Sequence, residues 1–208
     1  HSARSHMRHL TESPFAVFFM AGNPGSGKTT LGNRLAAEYG MIRVSPEDII
    51  REEAKKVGQA RAASLVSDAD FALMKQCVRS GDIFPLDRLM PIITMTIKKQ
   101  RLHNPYAACL LDGFPINGFE FTILQSGDTP FQYCTYVHTF VCTAPEPVAF
   151  NRAVENGRRY GGAEDTVAHR SKVWQTAWPD LLADMHQLER LEPSRLGVQS
   201  LKRSLEKH

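Results

Sequence analysis

Between a seven-residue apolar run and the start of a helical pattern, the chain carries Gly22-Asn23-Pro24-Gly25-Ser26-Gly27-Lys28-Thr29. Few strings of this length constrain a fold as strongly. Glycines at the first and sixth positions let successive backbone N–H groups converge at the end of a helix, and the following lysine and hydroxyl complete a phosphate cradle. At ordinary glycine usage the pattern arises by chance in on the order of one chain in a hundred of this length. An ordinary glycine-rich turn gives no reason for a lysine at the start of a well-patterned helix. The expectation is a nucleoside triphosphate site with ATP as ligand. Lys28 would sit on the β- and γ-phosphates, and the Thr29 hydroxyl on Mg²⁺.

The context supports this. Residues 15–21 form a continuous apolar run rich in aromatic residues, bounded by Pro14 and Gly22; such runs mark strands buried on both faces, as in parallel sheets. Residues 28–39 place Leu31, Leu35 and Ala36 at helical spacing and stop at Gly40, a helix-ending residue. A short strand is expected over 41–44. Ser45-Pro46-Glu47-Asp48 then supplies a cap, a proline at the first helical position and acids in the first turn, predicting a helix over 46–56. Further helices are expected over 68–79, 86–101, 147–156 and 165–191, and strands over 107–112 and 136–142. Residues 157–162 read as a loop. Strands alternating with helices imply an α/β fold, a three-layer P-loop arrangement around a central parallel sheet. Trp174 and Trp178, four apart, are expected to pack on the core.

Bulk properties set limits. Residues 1–6 read as the remnant of a purification tag, leaving a single domain over 7–208. Lys and Arg number 25 against 22 Asp and Glu, and a net charge of +3 gives no field for nucleic acid or membrane. No apolar run approaches the roughly 20 residues that span a bilayer. A cytoplasmic, monomeric protein is expected, with an organelle left open. Cys77, Cys109, Cys134 and Cys142 lack zinc-like spacing and read as reduced thiols. Asp112, closing the apolar run Leu110-Leu111, is the candidate acid for a Mg²⁺-bound water; a turn aspartate before Gly113 is the plainer alternative.

Taken in order, the residues 22–30, Val44-Ser45-Pro46-Glu47-Asp48, Ile83-Phe84-Pro85 and Leu111-Asp112-Gly113-Phe114-Pro115 resemble the adenylate kinases and related nucleoside monophosphate kinases over roughly residues 15–182. The resemblance implies a helical acceptor-binding excursion over about 45–85, a short lid over about 157–164, and γ-phosphoryl transfer from Mg-ATP to a nucleoside monophosphate. It adds Thr30 to the donor loop. It implies that Arg152 stacks on the ATP base and that Arg170 contacts the transferring phosphoryl. It implies an acceptor site of Ser45, Arg51, Ile83, Phe84, Gly113 and Glu120.

The chain also departs from that pattern. Two lid arginines are replaced by Asn156 and Gly162, with Arg158 and Arg159 nearby, and no zinc-binding cysteines occur in the lid. On the acceptor side the threonine and glycine of the family's Ser-Thr-Gly-Asp are Pro46 and Glu47. The clamp arginine is Ile116, and the base-reading glutamine is Glu120. An isoleucine cannot mimic a bidentate cation, and losing a phosphate arginine costs roughly 2–5 kcal/mol in a desolvated site. The expected function is phosphotransfer to a nucleoside monophosphate, with the acceptor site altered and an amino-bearing base such as cytosine or guanine favoured by Glu120. The alternatives are a non-catalytic ATP-binding module or a P-loop kinase for another small acceptor. Without an Asn-Lys-x-Asp element, a GTPase is disfavoured.

Overall fold

The computed structural model describes residues 15–114, 134–159 and 164–191. In chain order these form β1 (Phe15–Ala21), α1 (Lys28–Tyr39), β2 (Ile42–Val44), α2 (Pro46–Lys55), α3 (Gly58–Ala62), α4 (Asp68–Ser80), α5 (Leu86–His103), β3 (Cys109–Asp112), β4 (Cys134–Val141), α6 (Glu146–Arg159) and α7 (Glu164–Leu191). The four strands make one sheet in the order β2-β3-β1-β4, and every pairing is parallel. The α/β fold with a central parallel sheet expected from the strand and helix periodicities is therefore what the chain adopts.

All seven residues of β1 are buried, and their alternation explains why the run has no polar face. Phe15, Val17 and Phe19 join Ile42, Val44, Cys109 and Leu111 in a core covered by Met74 and Cys77 of α4 and Leu89, Ile93 and Ile97 of α5. Ala16, Phe18 and Met20 face the other way, with Leu110 and Val137, under Leu35 of α1. With successive side chains on opposite faces, a strand covered on both sides must be apolar throughout. Each large side chain so buried contributes about 2 kcal/mol. At the start of β1, Arg101 is 1% exposed, with its guanidinium over the Phe15 ring at 4.4 Å and Nη2 donating to the Pro105 carbonyl at 2.9 Å.

Helix ends follow local chemistry. Gly40 closes α1 in the left-handed region and donates its N–H to the Ala36 carbonyl. Ser45 Oγ accepts from the Asp48 N–H at 3.3 Å, and Pro46 opens α2. Ser67 caps α4 by accepting from the Asp70 N–H at 3.0 Å.

Three expectations need correction. The α1 residue buried against the sheet is Gly32, while Leu31 is 39% exposed, because the helix must sit close over Arg43 and Asp112. A Cβ on Gly32 would lie 3.2 Å from Arg43 Nε and 3.3 Å from Asp112 Oδ2. α6 continues to Arg159 through residues 157–159, read from sequence as loop. Tertiary packing of Ala149 and Val154 outweighs the roughly 1 kcal/mol cost of Gly157 in the helix. The short α3 carried no sequence signal. Within it, Arg61 donates to the Val66 carbonyl at 2.9 Å and lies over the Phe71 ring at 4.4 Å.

The four cysteines are free thiols, Cys77 and Cys109 buried and Cys134 and Cys142 half-buried; burial pushes the thiols of Cys77, Cys109 and Cys142 up. Trp174 and Trp178 stack at 4.8 Å and pack on Ala21 and Leu181. Among the described residues, no helix is long and apolar enough to cross a membrane.

Candidate active site

The carboxyl ends of β1 and β3, adjacent in the sheet, carry the glycine loop and Asp112, at the edge where open parallel sheets take their ligands. The two ends are tied together: the Gly113 N–H donates to the Met20 carbonyl at 2.9 Å.

Residues 22–27 fold as the spacing requires. Gly22, Gly25 and Gly27 have φ of 148°, 80° and 99°, values that L side chains rarely adopt. A Cβ on Gly25 would stand 1.9 Å from the Ala149 carbonyl oxygen, so the loop is pressed against the first turn of α6. A Cβ on Gly27 would meet nothing within 4 Å. α1 begins at Lys28 without a side-chain cap and without an acid in its first turn, which leaves its N-terminal amides and dipole available to an anion. Ser26 Oγ is buried and has no hydrogen-bond partner among the described residues. An orphaned hydroxyl and uncapped amides at a glycine loop suit a phosphate-bearing ligand.

Lys28 Nζ donates to the carbonyls of Gly22 at 2.7 Å and Asn23 at 2.9 Å. Burial pushes its ammonium below the ordinary lysine range, against the pull of Asp112 and Glu47. A polyanion would relieve that desolvation. Asn23 and Pro24 are half-buried in the loop, and Thr29 and Thr30 are exposed on the first turn of α1.

Asp112 is 3% exposed. Its Oδ2 accepts from Arg43 Nη2 at 2.5 Å and Nε at 2.8 Å, and Arg43 Nη1 reaches Asp48 at 3.0 Å. Burial raises the Asp112 carboxyl above the usual carboxylate range, with Arg43 pulling it back. Burial also works against the Arg43 guanidinium, but the bonds to Asp112 outweigh it and hold Arg43 above its ordinary value. Sequence reasoning missed Arg43. The available signal was a lone arginine inside the strand Ile42–Val44, whose register opposite Leu110 places it on the face that Asp112 shares.

The second cluster joins three elements. Glu47 Oε1, at the start of α2, accepts from Arg51 Nη2 at 2.6 Å and from Arg170 Nη1 of α7 at 2.5 Å. Partial desolvation works against this half-exposed carboxylate, but Arg170 and then Arg51 outweigh it and hold its pKa below the usual range, with Lys28 adding to them. α7 is docked beside this contact: Thr166 Oγ1 donates to the Arg79 carbonyl at 3.0 Å, and His169 Nε2 lies 3.0 Å from Asp82 Oδ1.

The remaining candidates are more scattered. Ser45 is buried and caps α2. Ile83 is half-buried, and Phe84 is 4% exposed within the main core. Gly113 adopts φ 78° after Asp112. Arg152 is exposed on α6, one turn beyond the Ala149 that meets Gly25. Ile116, Glu120, Gly162 and the tail after residue 193 lie outside the described residues, and among those described no group of three His, Cys, Asp or Glu side chains is placed to hold a metal ion.

Residues 17–177 match the family model described as AAA domain. The chain is 28% identical to the uridylate kinase of Saccharomyces cerevisiae over 166 residues, covering 77% of this chain and 72% of that one. It is 26% identical to the UMP-CMP kinase of Gallus gallus over 196 residues, covering 86% and 89%. It is 32% identical to adenylate kinase isoenzyme 1 of Caenorhabditis elegans over 99 residues, covering 48% and 42%. With its glycine loop at the carboxyl edge of a parallel sheet, the chain belongs to the AAA domain family and is a divergent relative of the nucleoside monophosphate kinases.

Proposed function

We propose that this P-loop kinase moves the γ-phosphoryl of ATP to a nucleoside monophosphate, and that the acceptor is a pyrimidine nucleotide such as UMP or CMP. The observation that carries the reading is the convergence of charged groups from three elements. Arg51 of α2 and Arg170 of α7 both donate to one carboxylate, that of Glu47, and Lys28 is held at the glycine loop by the Gly22 and Asn23 carbonyls. A site that must bring two polyanions together needs cations from both sides of the reacting bond. The acceptor class is supported by the names of the two relatives with long alignments, uridylate kinase and UMP-CMP kinase.

In this reading the loop amides and Lys28 hold the β- and γ-phosphates, and Arg152 lies over the base. Arg51 orients the acceptor phosphate, and Ile83 contacts its base. An acceptor phosphate oxygen attacks the γ-phosphorus in line, the bond to the β–γ bridging oxygen breaks, and ADP leaves. Arg170 and Lys28 carry the charge that develops on the transferred group. When bound, Mg²⁺ would supply further neutralisation of phosphate charge, and Thr29 and, through a water, Asp112 are the residues that would hold it. Ser45 and Gly113 position the acceptor segment through the α2 cap and the turn after β3, and Glu120 reads the base. The chain acts as a monomer.

A coupled ADP-release assay with ATP, Mg²⁺ and each of UMP, CMP, AMP, GMP and their deoxy forms tests this. Turnover highest with UMP or CMP is expected. If none is phosphorylated the reading fails, and tight ATP binding without turnover would mark a nucleotide-binding module.

A further inference from the structure

Glu47 is the anion on which Arg51 and Arg170 converge. It sits at the second residue of α2, where the helix dipole also favours negative charge. Its Oε1 takes one hydrogen bond from Arg51 on the next turn and one from Arg170, 123 residues along the chain. The Arg51 and Arg170 side chains are 30% and 25% exposed, while the Glu47 side chain is 53% exposed. A carboxylate therefore holds, with a free path to solvent, the two arginines assigned to the acceptor phosphate and the transferred phosphoryl.

We propose that Glu47 is an internal anion that competes with the acceptor's phosphate for Arg51 while also holding Arg170, making it a residue that weakens acceptor binding. The inference rests on the reading of the site as a monophosphate kinase. An arriving phosphate either displaces the carboxylate into solvent, at the cost of two ion pairs, or binds beside it against like-charge repulsion. Both routes penalise the acceptor at Arg51. That penalty falls on KM for the monophosphate. Removing a charge that makes two partly exposed ion pairs corresponds to a change of roughly fivefold to thirtyfold in acceptor affinity.

The test compares the native chain with Glu47→Gln and Glu47→Asp. Glutamine keeps the length and loses the charge; aspartate keeps the charge but is a methylene too short to hold both arginines as Glu47 does. For Glu47→Gln the acceptor KM with UMP or CMP is expected to fall about tenfold. Titration calorimetry with UMP alone should show the matching fall in Kd. Glu47→Asp should show a smaller fall of the same sign. Damage to the fold would weaken binding, so a gain in acceptor affinity is not what a merely structural role yields. A Kd for UMP in Glu47→Gln that equals or exceeds the native value, with an unchanged melting temperature, overturns the inference. If Glu47→Gln does not fold, an unchanged Kd in Glu47→Asp overturns it. Tighter UMP binding by Glu47→Gln without turnover in any variant supports the competing anion while removing the kinase reading, so the two failures are distinct.

Discussion

Replacing Arg43 with methionine isolates what the buried ion pair at the end of β3 contributes. Asp112 is 3% exposed, and Arg43 supplies both hydrogen bonds that its Oδ2 accepts, at 2.5 and 2.8 Å. Removing one partner of such a pair leaves an uncompensated buried charge, which costs about 3–5 kcal/mol. Arg43 is itself 15% exposed, so water can reach part of the gap, and the lower end applies. For a chain of this size about 3 kcal/mol corresponds to a fall of roughly 6–12 °C in melting temperature. The pH dependence gives the sharper test. Burial already places the folded-state pKa of Asp112 above its unfolded value, and losing Arg43 raises it further. The native state then binds the proton more strongly than the unfolded state, so stability falls as pH rises through the window between the two values. The destabilisation by Arg43→Met should therefore be full at neutral pH and shrink as pH drops toward the ordinary carboxylate range, where Asp112 is protonated in both chains. Adding Asp112→Asn to Arg43→Met should recover most of the loss. Urea unfolding of the four chains of that cycle, at neutral and acidic pH, gives the coupling. A pH-independent loss, or no coupling in the cycle, would refute the account of Asp112 as a buried charge held by Arg43.

Lys28→Met should leave the far-ultraviolet circular dichroism unchanged and lower kcat by about 10²- to 10³-fold, since a preorganised cation at the phosphates is lost; near-native turnover would remove Lys28 from the site. Gly25→Ala places a Cβ 1.9 Å from the Ala149 carbonyl oxygen at φ 80°. It should destabilise the chain by about 1–3 kcal/mol and weaken ATP binding measured by calorimetry, and a native-like melt would show that the loop does not press on α6. Gly81→Ala, at φ 82°, brings a Cβ within 2.8 Å of Thr166 Cγ2 and 2.9 Å of its carbonyl oxygen. Amide exchange over residues 166–170 should accelerate as α7 loosens from the end of α4, and unchanged protection there would contradict that docking.

Local chemistry made part of this fold legible. The bounds of β1 and α1 follow from a doubly buried apolar run, Gly22 at its end and Gly40 in the left-handed cap, all of which act within a few residues. The cap of α2 by Ser45 is likewise a matter of three neighbouring residues. Where an element owed its existence to distant partners, the pattern was silent or misleading. The facing of α1 illustrates this: helical spacing pointed to Leu31, but close approach to Arg43 and Asp112 turns Gly32 inward. Phe84, which the resemblance places in the acceptor site, is taken into the core formed with α4 and α5.

The glycine loop, its lysine and the alternation of strands with the longer helices were determined by the sequence alone, because periodicity, capping and left-handed glycines are short-range properties. Which charges meet was decided only by the tertiary structure. Arg43 and Asp112 are 69 residues apart, and Glu47 and Arg170 are 123 apart. No local pattern encodes such a pairing; it exists because the parallel sheet sets β2 beside β3, and because α7 packs its first turns on the end of α4.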